Sequence, residues 1–476
     1  MTAANTDTGR SGPQKPDGHR NEAPADPGRR ADLIAAAVAA ALFAVADAVG
    51  AAVDGDNVLQ LNWPPLYADW EPHVGPGTVP ALVTGTLLTV YGPAAARRLS
   101  TRALPWAATA GSLVWIWTLA MIDGWERGIT ERLTSRYEYL AAVDEVRDLR
   151  VFLTTFTERV PLDRPDNWPV HVAGHPPGAL LTFVGLDRIG LGGGAWAGMF
   201  CVVTAATAAA AVLVTVRALA GEETARRAAP FVVLAPAAVW MGVSADAHFA
   251  AVAAWAVALL ALAATGAARF PAAAALGSGL LFGWLLYLSY GLALMGTVAL
   301  AVLVAARSWR PLPWALAGIA VWVVAFTAAG FWWFDGYTAV VDRYHQGAGG
   351  VRPYAYFVWA NLAVQVLTVG LAGVAALRRW AVALPGTARR AARDLGSGSP
   401  LTGQAATVVL VAGALTAILL ATASGMSKAE TERIWLPFVL WLLPAAALLP
   451  ARWARGWLAA QAAVALAVNH LLLTGW

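Results

Sequence analysis

The chain has 476 residues, of which 58% are hydrophobic and 13% are charged, whereas a typical soluble domain carries about 25% charged residues. The net charge of +4 comes from arginines spread over many segments, which excludes the concentrated basic face of a nucleic-acid-binding protein. The single cysteine, Cys201, excludes an intramolecular disulfide bond. We therefore expect an all-α polytopic protein that resides in a lipid bilayer and binds no nucleic acid.

The chain begins with a polar segment, residues 1–31, whose Gly, Pro and Arg content predicts a disordered cytoplasmic tail. Residues 32–474 are expected to form a single transmembrane domain, because apolar runs recur along their whole length. About thirteen spans are predicted, at 32–52, 79–96, 104–122, 191–216, 229–243, 247–266, 272–289, 291–306, 313–333, 355–376, 404–422, 434–450 and 457–474.

The distribution of basic residues predicts the orientation of these spans. With the N-terminus in the cytoplasm, most of the 33 lysines and arginines fall in cytoplasmic segments, as the positive-inside rule requires. The large loop 123–190 of this multi-pass cell-membrane protein then lies on the extracytoplasmic side. The apolar run 178–186 cannot cross in this arrangement, and its nine residues are too few to do so. Pro176 and Pro177 instead predict a re-entrant or interfacial helix over 175–188.

A second interfacial helix is predicted over 136–156, earlier in the same loop. Tyr139, Val143, Val146, Leu149, Leu153 and Phe156 recur there at helical spacing, opposite a charged face. Such a stripe is typical of a helix that lies on a membrane surface or packs on the helix bundle.

Three acidic residues of the predicted outer face are candidates for catalysis. Asp123 ends the third span, Glu138 lies within Arg-Tyr-Glu-Tyr-Leu, and Asp246 lies between two spans that are joined almost without a loop. An unpaired charge at mid-membrane costs about 2.5–3.5 kcal/mol, so an acid near the bilayer is by default a functional candidate. The alternative is a helix-capping or solvated carboxylate.

A further set of polar residues is suited to hold a phosphate or a sugar. Arginine pairs with phosphate oxygens, glycine lets backbone approach a ligand, and tyrosine stacks on sugars or belongs to the interfacial aromatic belt. The candidates for substrate binding are Arg136, Tyr139, His175, Arg352, Tyr354, Lys428, Glu432 and Arg433.

The sequence gives little support for a metal centre or a nucleotide site. His171 and His175 are four residues apart, but no His-Glu-x-x-His motif is present. A divalent metal ion between the outer carboxylates is left open as a cofactor. Neither a Walker A loop nor a dinucleotide fingerprint occurs, which argues against an ATP-driven pump and against a Rossmann-type nucleotide-sugar enzyme.

The order of these motifs resembles that of the GT-C superfamily of membrane glycosyltransferases. This superfamily includes protein O-mannosyltransferases, aminoarabinose transferases and the mycobacterial arabinofuranosyl- and mannosyltransferases. The matching motifs are an outer-loop acid (Asp123 or Glu138), Arg136-Tyr137, His175-Pro176-Pro177-Gly178, a second acid (Asp246) and the late segment Glu432–Pro437. The paired acids that usually precede Arg-Tyr are replaced by Thr134-Ser135, which leaves open whether Asp123 or Glu138 is the base.

The resemblance implies a GT-C-like fold and transfer of a sugar from a polyprenyl-phosphate donor to a glycan, lipid or protein acceptor outside the cytoplasm. Asp123 is the first candidate for the base and Asp246 for an acceptor-orienting residue, and Arg352, Lys428 and Arg433 would hold the donor phosphate. One alternative interpretation is a secondary transporter or flippase of an anionic or lipid-linked solute, whose signature would be inverted repeats and charges on broken helices. Another is a GT-C-like scaffold, such as an oligosaccharide ligase or a non-enzymatic envelope assembly factor.

Overall fold

The computed structural model describes residue 2, residues 27–393 and residues 399–475. Nearly all of the predicted cytoplasmic tail, residues 1 and 3–26, lies outside the described residues. The first helix begins at Pro27, five residues before the predicted start of the first span at residue 32, and proline suits the first turn of a helix. This early turn is held in place by Arg29, whose guanidinium lies 3.9 Å from the ring centre of Trp453.

The α-helices of the described residues are α1 (Pro27–Val53), α2 (Thr78–Arg98), α3 (Ala103–Ala120), α4 (Leu149–Thr155), α5 (Val170–Ala173), α6 (Pro177–Arg188), α7 (Gly194–Ala220), α8 (Glu222–Val233), α9 (Ala238–Met241), α10 (Ala245–Ala264), α11 (Pro271–Leu288), α12 (Gly296–Ala306), α13 (Leu312–Ala328), α14 (Trp333–Gln346), α15 (Ala348–Val351), α16 (Tyr354–Arg393), α17 (Gly403–Ser424), α18 (Thr431–Ile434), α19 (Leu436–Val439) and α20 (Ala454–Leu471). Short 3₁₀ helices cover Asp54–Asp56, Tyr139–Glu145, Thr157–Arg159, Tyr290–Met295, Leu443–Leu448 and Ala451–Trp453, and one π-helical turn covers Glu126–Thr130. Two strands, β1 (Ala68–Trp70) and β2 (Leu472–Thr474), pair antiparallel with Asp69 opposite Leu473.

Apolar helices long enough to cross a bilayer dominate the described part of the chain. Eight of them qualify, namely α1, α2, α3, α7, α10, α11, α16 and α17. Two bent pairs raise the number to ten if each is one span: α13 with α14, bent by 76°, and Leu436–Leu448 with Ala451–Leu471, bent by 112°. The prediction of an all-α, multi-pass membrane protein is confirmed at this level, whereas thirteen separate spans are not.

Broken helices account for the difference of three between thirteen spans and ten. The predicted spans 434–450 and 457–474 count as one because they form the pair bent by 112°. The predicted span 229–243 falls on α8 and the four-residue α9, with Pro236 between them, and proline interrupts helical hydrogen bonding. The predicted span 291–306 contains a 3₁₀ helix and then α12, whose 11 residues reach only about 17 Å, against about 30 Å of hydrocarbon. Apolar runs in the sequence therefore overestimated the number of complete crossings.

The long helix α16 is also interrupted, at Gly370, where φ is +71°. A Cβ atom at this position would overlap the side-chain amide of Gln461 from α20. That amide donates to the carbonyl of Val369 at 2.8 Å and accepts from the backbone N–H of Ala372 at 3.2 Å. Gln461 thus replaces hydrogen bonds that the helix loses at its break.

The basic segments assigned to the cytoplasm meet at one end of the helix bundle. Asp32 of α1 is 2.8 Å from Arg378 and 2.6 Å from Arg379 of α16. Arg226 of α8 donates to the carbonyl of Leu99 at 2.7 Å. These contacts between distant segments place the arginine-rich loops together, as a common membrane face requires.

The segments assigned to the outer side meet at the other end. Strand β1, in the loop after α1, pairs with β2 at the C-terminus, and the loop 123–190 packs beside them. The helix predicted over 136–156 is instead a 3₁₀ helix (Tyr139–Glu145) followed by α4. The break lies at Val146–Asp148, where the Asp148 carboxylate accepts from the backbone N–H of Val151 and caps α4. Most of the predicted stripe is buried in the protein, although Leu149 is exposed.

The helix predicted over 175–188 is present as α6, which starts at Pro177. Its 12 residues reach about 18 Å, too short to cross a bilayer. Its first half is buried against the rest of the protein, including Ala179, Leu180 and Phe183.

Candidate functional site

The end of the bundle at which the predicted outer segments meet, called the outer end below, contains a buried cluster of ionisable side chains around Arg433. Arg433 lies on the single helical turn α18, and its side chain is 4% exposed. Its Nη1 atom is 3.0 Å from Asp246 Oδ2, and its Nη2 atom is 3.1 Å from Glu430 Oε2. A buried arginine requires such partners, because an unpaired buried charge is strongly destabilising.

The local structure of α10 explains the position of Asp246. The Ser244 hydroxyl accepts from the backbone N–H of Ala247 at 3.2 Å and caps the helix, so Asp246 lies in its first turn. A carboxylate is favoured there, since the helix N-terminus carries partial positive charge. Asp246 is only 4% exposed and therefore presents its charge to Arg433 rather than to solvent.

Glu138 approaches the same cluster from the loop 123–190. Its Oε1 atom is 2.7 Å from His171 Nδ1 on α5, and the backbone N–H of His171 donates to Tyr137 at 3.0 Å, which fixes the two residues side by side. Burial opposes ionisation of Glu138, but His171, Arg433 and His175 together lower its pKa. Glu138 Oε2 is buried and has no hydrogen-bond partner among the described residues, so one carboxylate oxygen is available to accept a proton.

His175, just before α6, is close enough to Glu138 and Asp246 to interact electrostatically with both. Its Nδ1 atom is 2.7 Å from the carbonyl oxygen of His171; because a carbonyl only accepts, Nδ1 carries the proton and Nε2 is the acceptor in the neutral ring. The ring lies between Tyr139 and Phe249, each 5.8 Å away between ring centres. Burial lowers the pKa of His175, which keeps the imidazole neutral near pH 7.

Tyr139 packs on a residue that lines a cavity. Its ring stacks on Phe183 of α6 at 5.3 Å between centres. Burial, reinforced by Asp246 and Glu138, raises its pKa well above the ordinary value, so the hydroxyl remains protonated. Phe183 also lines a cavity of about 340 Å³ that is shared with Leu140, Asp144 and Asp187.

Glu432 is the most unusual acid of the cluster. It is 1% exposed, and neither of its carboxylate oxygens has a side-chain hydrogen-bond partner among the described residues. Burial, with a smaller contribution from Glu430, raises its pKa to about 7. Its neighbour Tyr67 lines a second cavity of about 200 Å³ near β1 and β2.

Arg352 and Lys428 form an outer layer that binds backbone oxygens. Arg352 donates to the carbonyls of Leu59 and Lys428, both at 2.8 Å, and its Nη1 atom is 3.8 Å from Glu430 Oε1. The Lys428 ammonium donates to the carbonyl of Gly349 at 2.7 Å. Glu430 therefore lies between Arg352 and Arg433, whereas Lys428 is connected to Arg352 through its backbone carbonyl.

Two other predicted substrate-binding residues lie outside these contacts. The Tyr354 ring is 43% exposed, and its hydroxyl is 3.4 Å from the carbonyl of Ala423. Arg136 is exposed and stacks 4.7 Å from the ring centre of Tyr137, to whose hydroxyl it also donates. The ion pairs that hold Arg433 in the described part of the chain are made by Asp246 and Glu430, not by these two residues.

Asp123 belongs to a separate ionic network. Its Oδ1 atom is 2.9 Å from His73 Nε2 and 3.0 Å from Arg127 Nη2, and its Oδ2 atom is 2.7 Å from Arg132 Nη2. Arg132 also donates to the carbonyl of Thr474 at 2.7 Å. This network connects the loop after α1, the end of α3 and the C-terminal strand.

Sequence reasoning missed two members of the Arg433 cluster. His171 was considered only as a metal ligand, although its spacing from His175 signalled a pair on one short helical segment. Glu430 was not singled out, although its i,i+3 spacing from Arg433 is a known ion-pair spacing. Among the residues that the structure describes, no three His, Cys, Asp or Glu side chains are grouped as ligands of one metal ion.

No protein-family model matches this chain, and no curated protein matches it significantly.

Proposed function

We propose that the chain is a membrane glycosyltransferase that moves a sugar from a polyprenyl-phosphate donor to an envelope glycan, lipid or protein on the extracytoplasmic side. The observation that carries the proposal is the convergence of Glu138, Asp246 and Arg433 from three distant segments in one buried cluster. Buried ionisable groups gathered at one end of a membrane bundle are expensive and mark functional sites. The motif order that resembles the GT-C superfamily supplies the reaction class.

Glu138 is the proposed general base of this reaction. The acceptor hydroxyl oxygen attacks the anomeric carbon, its proton passes to Glu138 Oε2, and the bond from the anomeric carbon to the phosphate oxygen breaks with its electron pair on the phosphate. The lowered pKa of Glu138 keeps the carboxylate ionised and ready to accept this proton. His171, 2.7 Å from Oε1, orients the carboxylate.

Arg433 is the proposed group that stabilises negative charge on the leaving phosphate. A buried guanidinium offers several donors in a fixed plane, which suits phosphate oxygens. Asp246 and Glu430 hold this guanidinium in position at 3.0 and 3.1 Å. Arg352 adds cationic charge on the other side of Glu430 and binds the carbonyl of Lys428, the third proposed phosphate-binding cation. An inverting outcome is proposed, because a single direct displacement reverses the anomeric configuration.

The donor is proposed to enter from the lipid through the cavity beside Tyr139. That cavity has a volume of about 340 Å³ and combines Leu140 and Phe183 with Asp144 and Asp187. Apolar walls with a few polar groups are typical of small-molecule sites.

The test is an in vitro transfer assay with purified protein in nanodiscs, a panel of polyprenyl-phosphate sugars and a membrane extract as acceptor, with and without EDTA. Glu138→Gln and Asp246→Asn should reduce transfer by at least about 100-fold, within the range of general-base catalysis, whereas the exposed control Glu131→Gln should not. NMR of the product should show an inverted anomeric centre. Absence of transfer by the wild-type protein from every donor would refute the proposal.

A secondary transporter or flippase is the second candidate, and the broken helices favour it. Interrupted helices, such as α16 at Gly370 and the pair bent by 112°, commonly build transporter sites. Uptake of a lipid-linked or anionic solute into proteoliposomes, in the absence of sugar transfer, would support this function instead.

A further inference from the structure

The opposite end of the bundle contains a cavity that the proposed transfer reaction does not use. Its volume is about 690 Å³, and four arginines line it: Arg227 of α8 and Arg378, Arg379 and Arg390 of α16. Gln404 and Thr407 of α17 contribute an amide and a hydroxyl to the wall. Side chains from three helices thus surround one cavity. The general excess of positive charge in the predicted cytoplasmic loops does not by itself require the arginines to converge in this way.

The cavity carries an excess of positive charge. Asp32, 2% exposed at its side chain, pairs with Arg378 and Arg379, and Glu223 is the carboxylate in the wall. Four arginines therefore face two carboxylates. Arg227 and Arg390 have no carboxylate partner among the described residues; they contact backbone carbonyls, Arg227 that of Leu449 at 2.6 Å and Arg390 that of Gly386 at 3.4 Å.

The wall also includes apolar groups at its edge. Val382 is 68% exposed, and Leu448 and Ala447 line the side near the bent pair that includes α20. A ligand that fits this wall bears an anionic head for the arginines and an apolar portion for Val382. Arginine prefers phosphate because the fork of donors matches its oxygens.

We infer that this arginine-lined cavity binds the phosphate ester headgroup of an anionic lipid. The guanidinium groups of Arg227 and Arg390 contact the phosphate oxygens, and Gln404 and Thr407 supply further hydrogen bonds. The acyl chains leave the cavity past Val382 toward the bilayer. Basic pockets between transmembrane helices near the cytoplasmic surface are a known means of binding lipid headgroups.

The test uses the full-length protein in nanodiscs of phosphatidylcholine alone and of phosphatidylcholine with phosphatidylglycerol, with lipid retention measured by native mass spectrometry. Arg390→Gln should reduce retained phosphatidylglycerol about tenfold, equivalent to about 1.4 kcal/mol. The matched control is Arg389→Gln, on the exposed surface of the same helix and absent from the cavity wall. A second variant, Ala383→Trp, fills the cavity without changing charge and should also displace the lipid.

A further arm separates a lipid headgroup from free phosphate. Inorganic phosphate and glycerol phosphate are titrated against detergent-solubilised protein, and thermal stabilisation is measured. If these soluble anions stabilise the wild-type protein but not Arg390→Gln, the cavity binds phosphate but its ligand is soluble rather than a lipid. The inference would be overturned if Arg389→Gln and Arg390→Gln lost equal amounts of retained phosphatidylglycerol. It would also be overturned if the wild-type protein retained no phosphatidylglycerol and neither anion stabilised it.

Discussion

The buried carboxyl group of Glu432 provides the sharpest test of the electrostatics at the outer end. Its side chain is almost inaccessible, at 1% exposure, and burial raises its pKa to about 7 from the ordinary value of 4.5. Ionisation is therefore harder in the folded protein than in the unfolded chain. Replacing Glu432 with Gln, which has the same shape and no charge, should remove this penalty.

The sign and size of the effect follow from linkage between protonation and folding. The unfolded chain ionises near pH 4.5, whereas the folded protein ionises near pH 7, so Glu432 lowers stability progressively as pH rises between these values. The difference between the two pKa values corresponds to roughly 3 kcal/mol above pH 7. With about 2 cal/mol/K of unfolding entropy per residue, this amounts to a melting-temperature increase of about 3 °C for Glu432→Gln.

The assay is thermal unfolding in detergent at pH 5 and pH 8. Glu432→Gln should melt about 3 °C above the wild type at pH 8 and much closer to it at pH 5, where the wild-type carboxyl group is protonated. The exposed Glu131→Gln should show no such pH-dependent difference, because its side chain is solvated. A Glu432→Gln variant that is less stable than the wild type at pH 8 would show that the carboxylate is ionised and stabilised, and would refute the reasoning.

Three other perturbations test the packing. Arg433→Gln leaves Asp246 unpaired and should lower the free energy of unfolding by about 3–5 kcal/mol. Denaturant unfolding of the double variant Arg433→Gln/Asp246→Asn should show that part of this loss is recovered. If the losses of the two single variants simply added in the double variant, a direct pair would be contradicted. Gly370→Ala should lower the melting temperature by several degrees, because the added Cβ atom collides with the side chain of Gln461. An unchanged melting temperature would mean that Gln461 does not pack against Gly370. Asp32→Asn should lower the free energy of unfolding by about 3 kcal/mol or more, because two arginines lose their shared carboxylate. Most of this difference between variant and wild type should persist in high salt, since the carboxylate is buried.

The sequence predicted the helices well and their continuity poorly. Periodicity and apolar length identified α1, α2 and α17 to within a few residues, except that α1 starts early. A run of apolar residues does not reveal whether a helix crosses in one piece, because the break depends on partners from elsewhere. The interruption of α16 requires Gln461, which lies 91 positions later in the chain than Gly370.

The members of the candidate site were easier to predict than their pairing. Asp246, Glu138 and Arg433 were each conspicuous as charges beside apolar segments. Which of them share a hydrogen bond depends on how distant loops fold together, and local spacing contains no information on that. His171 shows the limit, because its approach to Glu138 is set by a backbone hydrogen bond to Tyr137.

The contacts of the two candidate bases favour Glu138 over Asp123. Asp123 accepts at Oδ1 from Arg127 and at Oδ2 from Arg132, so proton transfer to it would break at least one charged hydrogen bond. Glu138 Oε2 has no hydrogen-bond partner among the described residues, and Glu138 lies within the electrostatic influence of Arg433. If this reasoning is correct, Asp123→Asn should lower thermal stability while transfer per folded molecule persists. Glu138→Gln should abolish transfer per folded molecule, whether or not it also lowers thermal stability. The opposite pattern would make Asp123 the base and would leave the Arg433 cluster as a structural element.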